Sequence, residues 1–108
     1  MDLREQIQLE LDHADAARLR GNEGRARVCA RRAAAMAARE YLEPKGLYPP
    51  NASGLDVLEK LRLDPDLLPE VIPLIDHLTQ RVDEAFRLPP GVDLIADARE
   101  LRRFLHPY

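Results

Sequence analysis

Residues 21–46 read GNEGRARVCARRAAAMAAREYLEPKG, with an apolar seam between signals for the start and the end of a helix. Its first residues include Gly21 and Asn22, and an asparagine here can cap a helix because its side-chain oxygen accepts a hydrogen bond from a free backbone NH. Pro44 and Gly46 mark the end of the helix. The apolar seam between these signals consists of Ala26, Cys29, Ala30, Ala33, Met36, Ala37 and Tyr41. The stretch therefore predicts a long helix that packs through small residues.

The residues before this stretch have the same helical period. Apolar residues recur at steps of three and four, and charged residues occupy the other positions, which is typical of an amphipathic helix. These apolar positions are Leu3, Ile7, Leu11, Ala14 and Ala17. A short turn around Gly21 then predicts a hairpin of two long antiparallel helices.

The second half of the chain predicts shorter elements. Residues 44–54 hold three prolines and two glycines and are expected to form a crossover loop. Ser53 and Asp56 have the spacing of a capping box, which predicts a short helix through Leu55, Leu58 and Leu61. Two further apolar seams contain Val71, Leu74, Ile75, Leu78, Val82 and Phe86, and then Leu94, Ile95, Ala98, Leu101 and Leu105. We predict a single all-α domain over residues 1–108, an up-and-down antiparallel four-helix bundle or a five-helix bundle with a short helix after the crossover.

Composition argues against several classes of protein. No run approaches the roughly eighteen uncharged apolar residues of a membrane span, and the N-terminus lacks the order of a signal peptide, so we expect a cytoplasmic protein without membrane contact. The single cysteine, Cys29, cannot form a disulfide within the chain. The three histidines are scattered without metal-ligand spacing, and we therefore expect neither a metal site nor a cofactor.

Charge is distributed unevenly, although the formal net charge is only −3. Residues 18–39 hold seven arginines and one acid, and residues 55–86 hold eight acids and three bases. Arg25, Arg32 and Arg39 are seven residues apart and share one side of the second helix. This row, together with Arg87, is a candidate phosphate-binding site for a nucleotide or RNA. The alternative is a solvated face paired with acids of neighbouring helices.

The second helix also has a second apolar stripe. Val28, Ala35 and Leu42 are again seven residues apart and point away from the main seam. An additional apolar stripe needs a covering partner. It is either covered within the monomer or forms the contact of a homodimer, which is the interpretation we favour from the sequence.

The order of these features resembles the HEPN domains (higher eukaryotes and prokaryotes nucleotide-binding). The hairpin of residues 21–42 with Gly46, the leucine-rich residues 55–63, the segment Phe86-Arg87-Leu88-Pro89 and the final Ala96-Asp97-Ala98-Arg99 carry the resemblance. The resemblance implies a bundle of four or five helices that is usually dimeric. The family contains metal-independent ribonucleases and partners of small nucleotidyltransferases in toxin–antitoxin pairs.

Catalytic members of that family carry an arginine, four to six residues and then a histidine after the third long helix. Arg87 stands near that place, but the positions where the histidine is needed are Val92, Asp93 and Leu94. Arg99 and His106 have the spacing, but they lie on the last helix and its tail. We expect His13 to be a solvated surface residue and His77 to lie at the boundary of the core.

The sequence therefore favours a non-catalytic, dimeric HEPN-like binding module over an enzyme. Its expected ligand is a partner protein, such as a small nucleotidyltransferase, or the phosphate of a nucleotide or RNA. The alternative is a metal-independent ribonuclease toxin that uses Arg99 and His106.

Overall fold

The computed structural model describes residues 1–47, 52–80 and 91–106, and its first two helices form the predicted hairpin. α1 runs Leu3–Leu19 and α2 runs Glu23–Leu42. The Asp2 carboxylate caps α1 by accepting from the Glu5 NH at 2.8 Å. The Asn22 side chain caps α2 by accepting from the Arg25 NH at 3.1 Å, as the sequence predicted. Gly21, with φ of 78°, provides the left-handed turn between the helices.

The predicted short helix after the crossover is α3, which spans Gly54–Arg62. Its capping box is complete, because the Ser53 hydroxyl accepts from the Asp56 NH and the Asp56 carboxylate accepts from the Ser53 NH. A 3-10 turn, Glu43–Lys45, ends the hairpin before the crossover, and Gly46 follows it in a left-handed conformation.

α4 runs Ile72–Thr79 and follows a 3-10 turn at Pro69–Val71. Its buried residues Ile75 and Leu78 belong to the predicted seam, but that seam was predicted to continue through Val82 and Phe86. The helix instead ends at Thr79, since Gln80 has extended backbone angles, and Val82 and Phe86 lie outside the described residues. The Thr79 hydroxyl donates to the Ile75 carbonyl at 2.8 Å, a local bond that competes with continued helix.

α5 spans Leu94–Leu105 and is the most regular element of the second half. The Asp93 carboxylate caps it by accepting from the NH groups of Ile95 and Ala96 at 3.1 and 3.3 Å. All five residues of its predicted seam are buried: Leu94, Ile95, Ala98, Leu101 and Leu105. The period of the sequence therefore predicted this helix and its buried face correctly.

The core forms around α2, which contacts α1, α3 and α5, while α4 packs between α3 and α5. The α2 alanines are almost completely buried and allow close approach of the neighbouring helices. The all-α class is confirmed for the described residues, which form five α-helices and no strand. A regular four-helix up-and-down bundle is not confirmed, since α3 and α4 have only 9 and 8 residues.

Candidate functional site

An open groove with a volume of about 540 Å³ lies between α2 on one side and α3 and the end of α4 on the other. We call it the arginine-bordered groove. Its apolar surface consists of Val28, Ala35, Met36, Leu55, Leu58 and Leu78, with Gly54 and Thr79 at its edges, and its polar border consists of Arg31, Arg32 and Arg39. Among the described residues that line it there is no carboxylate and no aromatic ring.

Sequence spacing explains how α2 builds its side of the groove. Val28, Ala35, Arg32 and Arg39 follow each other at steps of three and four, so one arc of the helix carries both the apolar and the basic side chains. Gly54 brings α3 close to this arc, because a Cβ atom there would lie only 3.2 Å from the Ala35 Cβ. The groove thus exists because small residues on two helices let their backbones approach.

Arg31 joins the two walls of the groove. Its Nε donates to the Leu78 carbonyl at 3.3 Å, which satisfies an acceptor in the last turn of α4. Burial lowers the pKa of Arg31, and the nearby Arg27 charge lowers it further. The guanidinium nevertheless stays charged at any physiological pH, because an arginine starts from a pKa far above that range.

The predicted phosphate-binding row is divided by the structure. Arg32 is exposed and Arg39 half-buried, and both border the groove. Arg25 is exposed near the start of α2 and does not line the groove. Arg87 lies outside the described residues. Arg31, which the row omitted, belongs to the groove through its contact with α4.

The predicted interface stripe is also not a continuous open surface. Val28 is 40% exposed, but Ala35 is 7% exposed and Leu42 is completely buried in the core of the monomer. Leu42 is therefore unavailable for a contact between copies, because packing within the monomer already covers it. Val28 remains as the exposed member of the stripe.

Arg99 and His106 line a second, smaller cleft of about 320 Å³ with Gln8, Leu11, Arg102 and Arg103. The structure brings the two side chains into one cleft but gives each another partner. The Arg99 guanidinium pairs with the Asp15 carboxylate of α1. The Nε2 atom of His106 lies 3.3 Å from the Ala37 carbonyl, and Nδ1 lies 3.7 Å from a Glu40 carboxylate oxygen.

This arrangement anchors the residue that follows α5, because both ring nitrogens of His106 lie near atoms of α2. A carbonyl can only accept, so Nε2 carries the proton that it donates to Ala37. The ring holds the end of α5 on α2 and is only 20% exposed. A histidine in this position acts as a tether between helices.

The other titratable candidates occupy structural positions. His13 is exposed, as predicted. His77 is half-buried, and its Nδ1 lies 3.0 Å from a carboxylate oxygen of Asp97. Cys29 is completely buried, and burial raises the pKa of its thiol, so it is a packed core residue. Across residues 1–47, 52–80 and 91–106, no group of three or more His, Cys, Asp or Glu is placed to hold a metal ion.

Sequence reasoning missed the ionic contacts that connect distant parts of the chain. Arg18 donates to Glu23 at 2.8 and 3.0 Å and to Asp93 at 3.0 Å, and so connects the α1–α2 turn to the start of α5. Lys45 lies 3.2 Å from the buried Asp64 and the exposed Asp66. Nothing local in the sequence distinguishes these charges from solvated ones, because their partners are brought close only by the fold.

Within the described parts of the chain, no helix has both the length and the apolar character needed to cross a bilayer. Compared with models of protein families, with curated proteins and with solved structures, the chain matches none of them significantly.

Proposed function

We propose that the chain is a non-catalytic, HEPN-like binding module that recognises a partner protein through the arginine-bordered groove. The groove itself carries this proposal, because apolar surface open to water between two helices is a common form of protein-binding site. Val28 on the α2 wall and Leu55 on the α3 wall are 40% and 48% exposed. A partner that covers them removes apolar area from water.

The lining of the groove favours a protein over a nucleotide or RNA. Nucleobases in binding sites usually stack on aromatic rings, and no described residue of this groove carries one. A phosphate would contact only the arginine border and would leave the apolar floor without a function. Phosphate binding along the row therefore stands as the second candidate.

The partner implied by the HEPN resemblance is a small nucleotidyltransferase of a toxin–antitoxin pair. We expect such a partner, or another protein that binds the groove, to form a complex that Val28→Glu weakens at least tenfold. A charge at this position would face apolar surface in the complex and lose its hydration. Isothermal titration calorimetry with the purified partner measures the effect.

Leu63→Glu is the matched control, since Leu63 is 71% exposed and does not line the groove. Equal affinity of both variants for the partner would contradict the proposal. The second candidate would be favoured instead if the chain binds RNA, if Arg32→Glu abolishes that binding, and if no protein competes with the RNA for the groove.

The ribonuclease alternative has a separate test. We expect no cleavage of labelled RNA in the presence of a chelator, because the Arg99 and His106 side chains are held by Asp15 and Ala37. Cleavage by the wild-type protein that both Arg99→Ala and His106→Ala lose would establish the enzyme and overturn the binding-module proposal.

A further inference from the structure

We infer that the occupant of the arginine-bordered groove is an acidic amphipathic α-helix of about three turns, supplied by another protein. This inference rests on the proposed function and specifies the chemistry of the partner. Three properties of the groove lead to it, namely its length, its apolar floor and the positive charges of Arg31 and Arg32 at its border.

The length of the groove matches a short helix. Its α2 wall extends from Val28 to Arg39. At 1.5 Å of rise per residue, these residues span about 17 Å, which is the length of a helix of roughly eleven residues. A helix of this length presents three or four side chains on one face at positions i, i+3 or i+4 and i+7.

The floor supplies surface for such a face. Ala35 and Gly54 are small residues of the lining, and Val28 and Leu55 are larger, half-exposed side chains on opposite walls. Met36 adds a flexible side chain that adapts to the shape of a ligand. Aliphatic side chains of a docked helix fit this combination of small and adaptable residues.

The arginines at the border select for negative charge on the docked helix. Arg31 donates through Nε to the Leu78 carbonyl, and the other NH groups of its guanidinium are further donors. Arg32 is exposed, and among the ion pairs of the described residues none involves Arg31 or Arg32. Carboxylates along both edges of a docked helix would meet these guanidinium groups, and lysines at the same positions would be repelled.

A second copy of this chain is a poorer occupant by the same argument. A two-fold contact brings the same surface of both copies together, so the arginines of one groove would approach those of the other. Like charges at short range oppose association unless acids separate them, and the lining residues that the structure describes include no acid. An acidic helix from another protein satisfies the border without this repulsion.

The inference is tested by selecting binders of the intact protein from a display library of helical 14-residue peptides. Every position of the peptides is randomised. We expect enriched peptides with an aliphatic i, i+4, i+7 face and glutamate or aspartate beside it. Binding of a synthesised peptide should weaken about tenfold at low salt with Arg32→Glu, because a reversed charge repels its carboxylates. Lysine replacements of its acids should restore affinity for that variant.

Arg25→Glu is the matched control, because Arg25 belongs to the same row on α2 but lies outside the groove, and it should change affinity less than twofold. Enriched peptides that are neutral or basic, yet lose binding with Val28→Glu, would overturn the inference and leave the proposed function standing. Peptides that bind with equal affinity to Val28→Glu, or a library that yields no binder, would contradict the inference directly. Competition by RNA that removes the peptides from the wild-type groove would favour the phosphate candidate.

Discussion

Gly24 and Gly54 occupy the first turns of α2 and α3 but have very different surroundings. A Cβ atom at Gly24 would meet nothing closer than the Asn22 side-chain oxygen at 4.0 Å. At Gly54 it would lie 3.2 Å from the Ala35 Cβ, an atom fixed to the backbone of a packed helix. A side chain at position 54 therefore fits only if α2 and α3 separate by a few tenths of an ångström.

This difference predicts opposite effects of the same substitution. Gly24→Ala should stabilise the protein by about 0.5 kcal/mol, because alanine restricts the unfolded chain and favours helix. Gly54→Ala should destabilise it by about 1 kcal/mol, because overpacking strains the contact between α2 and α3. Urea unfolding of both variants measures the two changes, and an equal gain from both would show that the helices adjust freely.

Among the described residues, Asp64 carries a carboxylate that is buried, and its side chain is 1% exposed. Burial raises its pKa, but hydrogen bonds from Tyr41, the Asp66 backbone NH and Lys45 together outweigh burial and hold the pKa below its ordinary value. A carboxyl group with a lowered folded-state pKa stabilises the protein above its unfolded pKa, and this stability is lost as pH falls through the folded pKa.

We therefore expect Asp64→Asn to flatten the acid limb of the stability curve. The free energy of unfolding of the wild-type protein should fall more steeply between neutral pH and about pH 3 than that of the variant. Asp66→Asn is the control, since the Asp66 side chain is 77% exposed. Urea titrations at a series of pH values give the comparison, and parallel curves for all three proteins would contradict the assigned role of Asp64.

The helices differ in how much of each could be predicted from local sequence. The caps of α2 and α3 were predicted because Asn22 and Ser53 act on NH groups within three residues. The end of α4 was not, because its last turn is bonded by Arg31, which comes from another helix. Long-range contacts decide such boundaries, and single-sequence patterns do not contain them.

Asp93 shows an element stabilised by both kinds of contact. Its carboxylate caps α5 and also accepts from Arg18 of α1, 75 residues away. Asp93→Ala removes both contacts and should destabilise the protein by about 1–2 kcal/mol. Asp93→Asn keeps a capping oxygen and loses the charge, so it should cost less. Thermal unfolding ranks the variants, and a harmless Asp93→Ala would show that neither contact matters.

For the chain as a whole, the sequence predicted the all-α class and the hairpin but only part of the candidate site. The row of Arg25, Arg32 and Arg39 was recognised from spacing, yet only two of its members border the groove. The opposite wall comes from Leu55, Leu58 and Leu78, which lie in two other helices. No spacing rule along α2 could have located that wall, because the packing of α3 and α4 places it there.

Homodimerisation stays a prediction, and the structure makes it more specific. Since Leu42 is buried and the groove carries arginines, we expect any homodimer to use another face. Analytical ultracentrifugation should then give the same association constant for the wild-type protein and for Val28→Glu. A dimer that Val28→Glu dissociates would identify the stripe as a self-contact and contradict the acidic-helix inference.

Arg31 couples the occupancy of the groove to the stability of the last turn of α4. Its guanidinium borders the groove and holds the last turn of α4 through the Leu78 carbonyl. A ligand carboxylate that orders this side chain in place would reinforce that bond, whereas one that turned the guanidinium outward would release it. The affinity of the groove for such a ligand and the rate of amide hydrogen exchange in the last turn of α4 are therefore thermodynamically linked. A change in one predicts a change in the other.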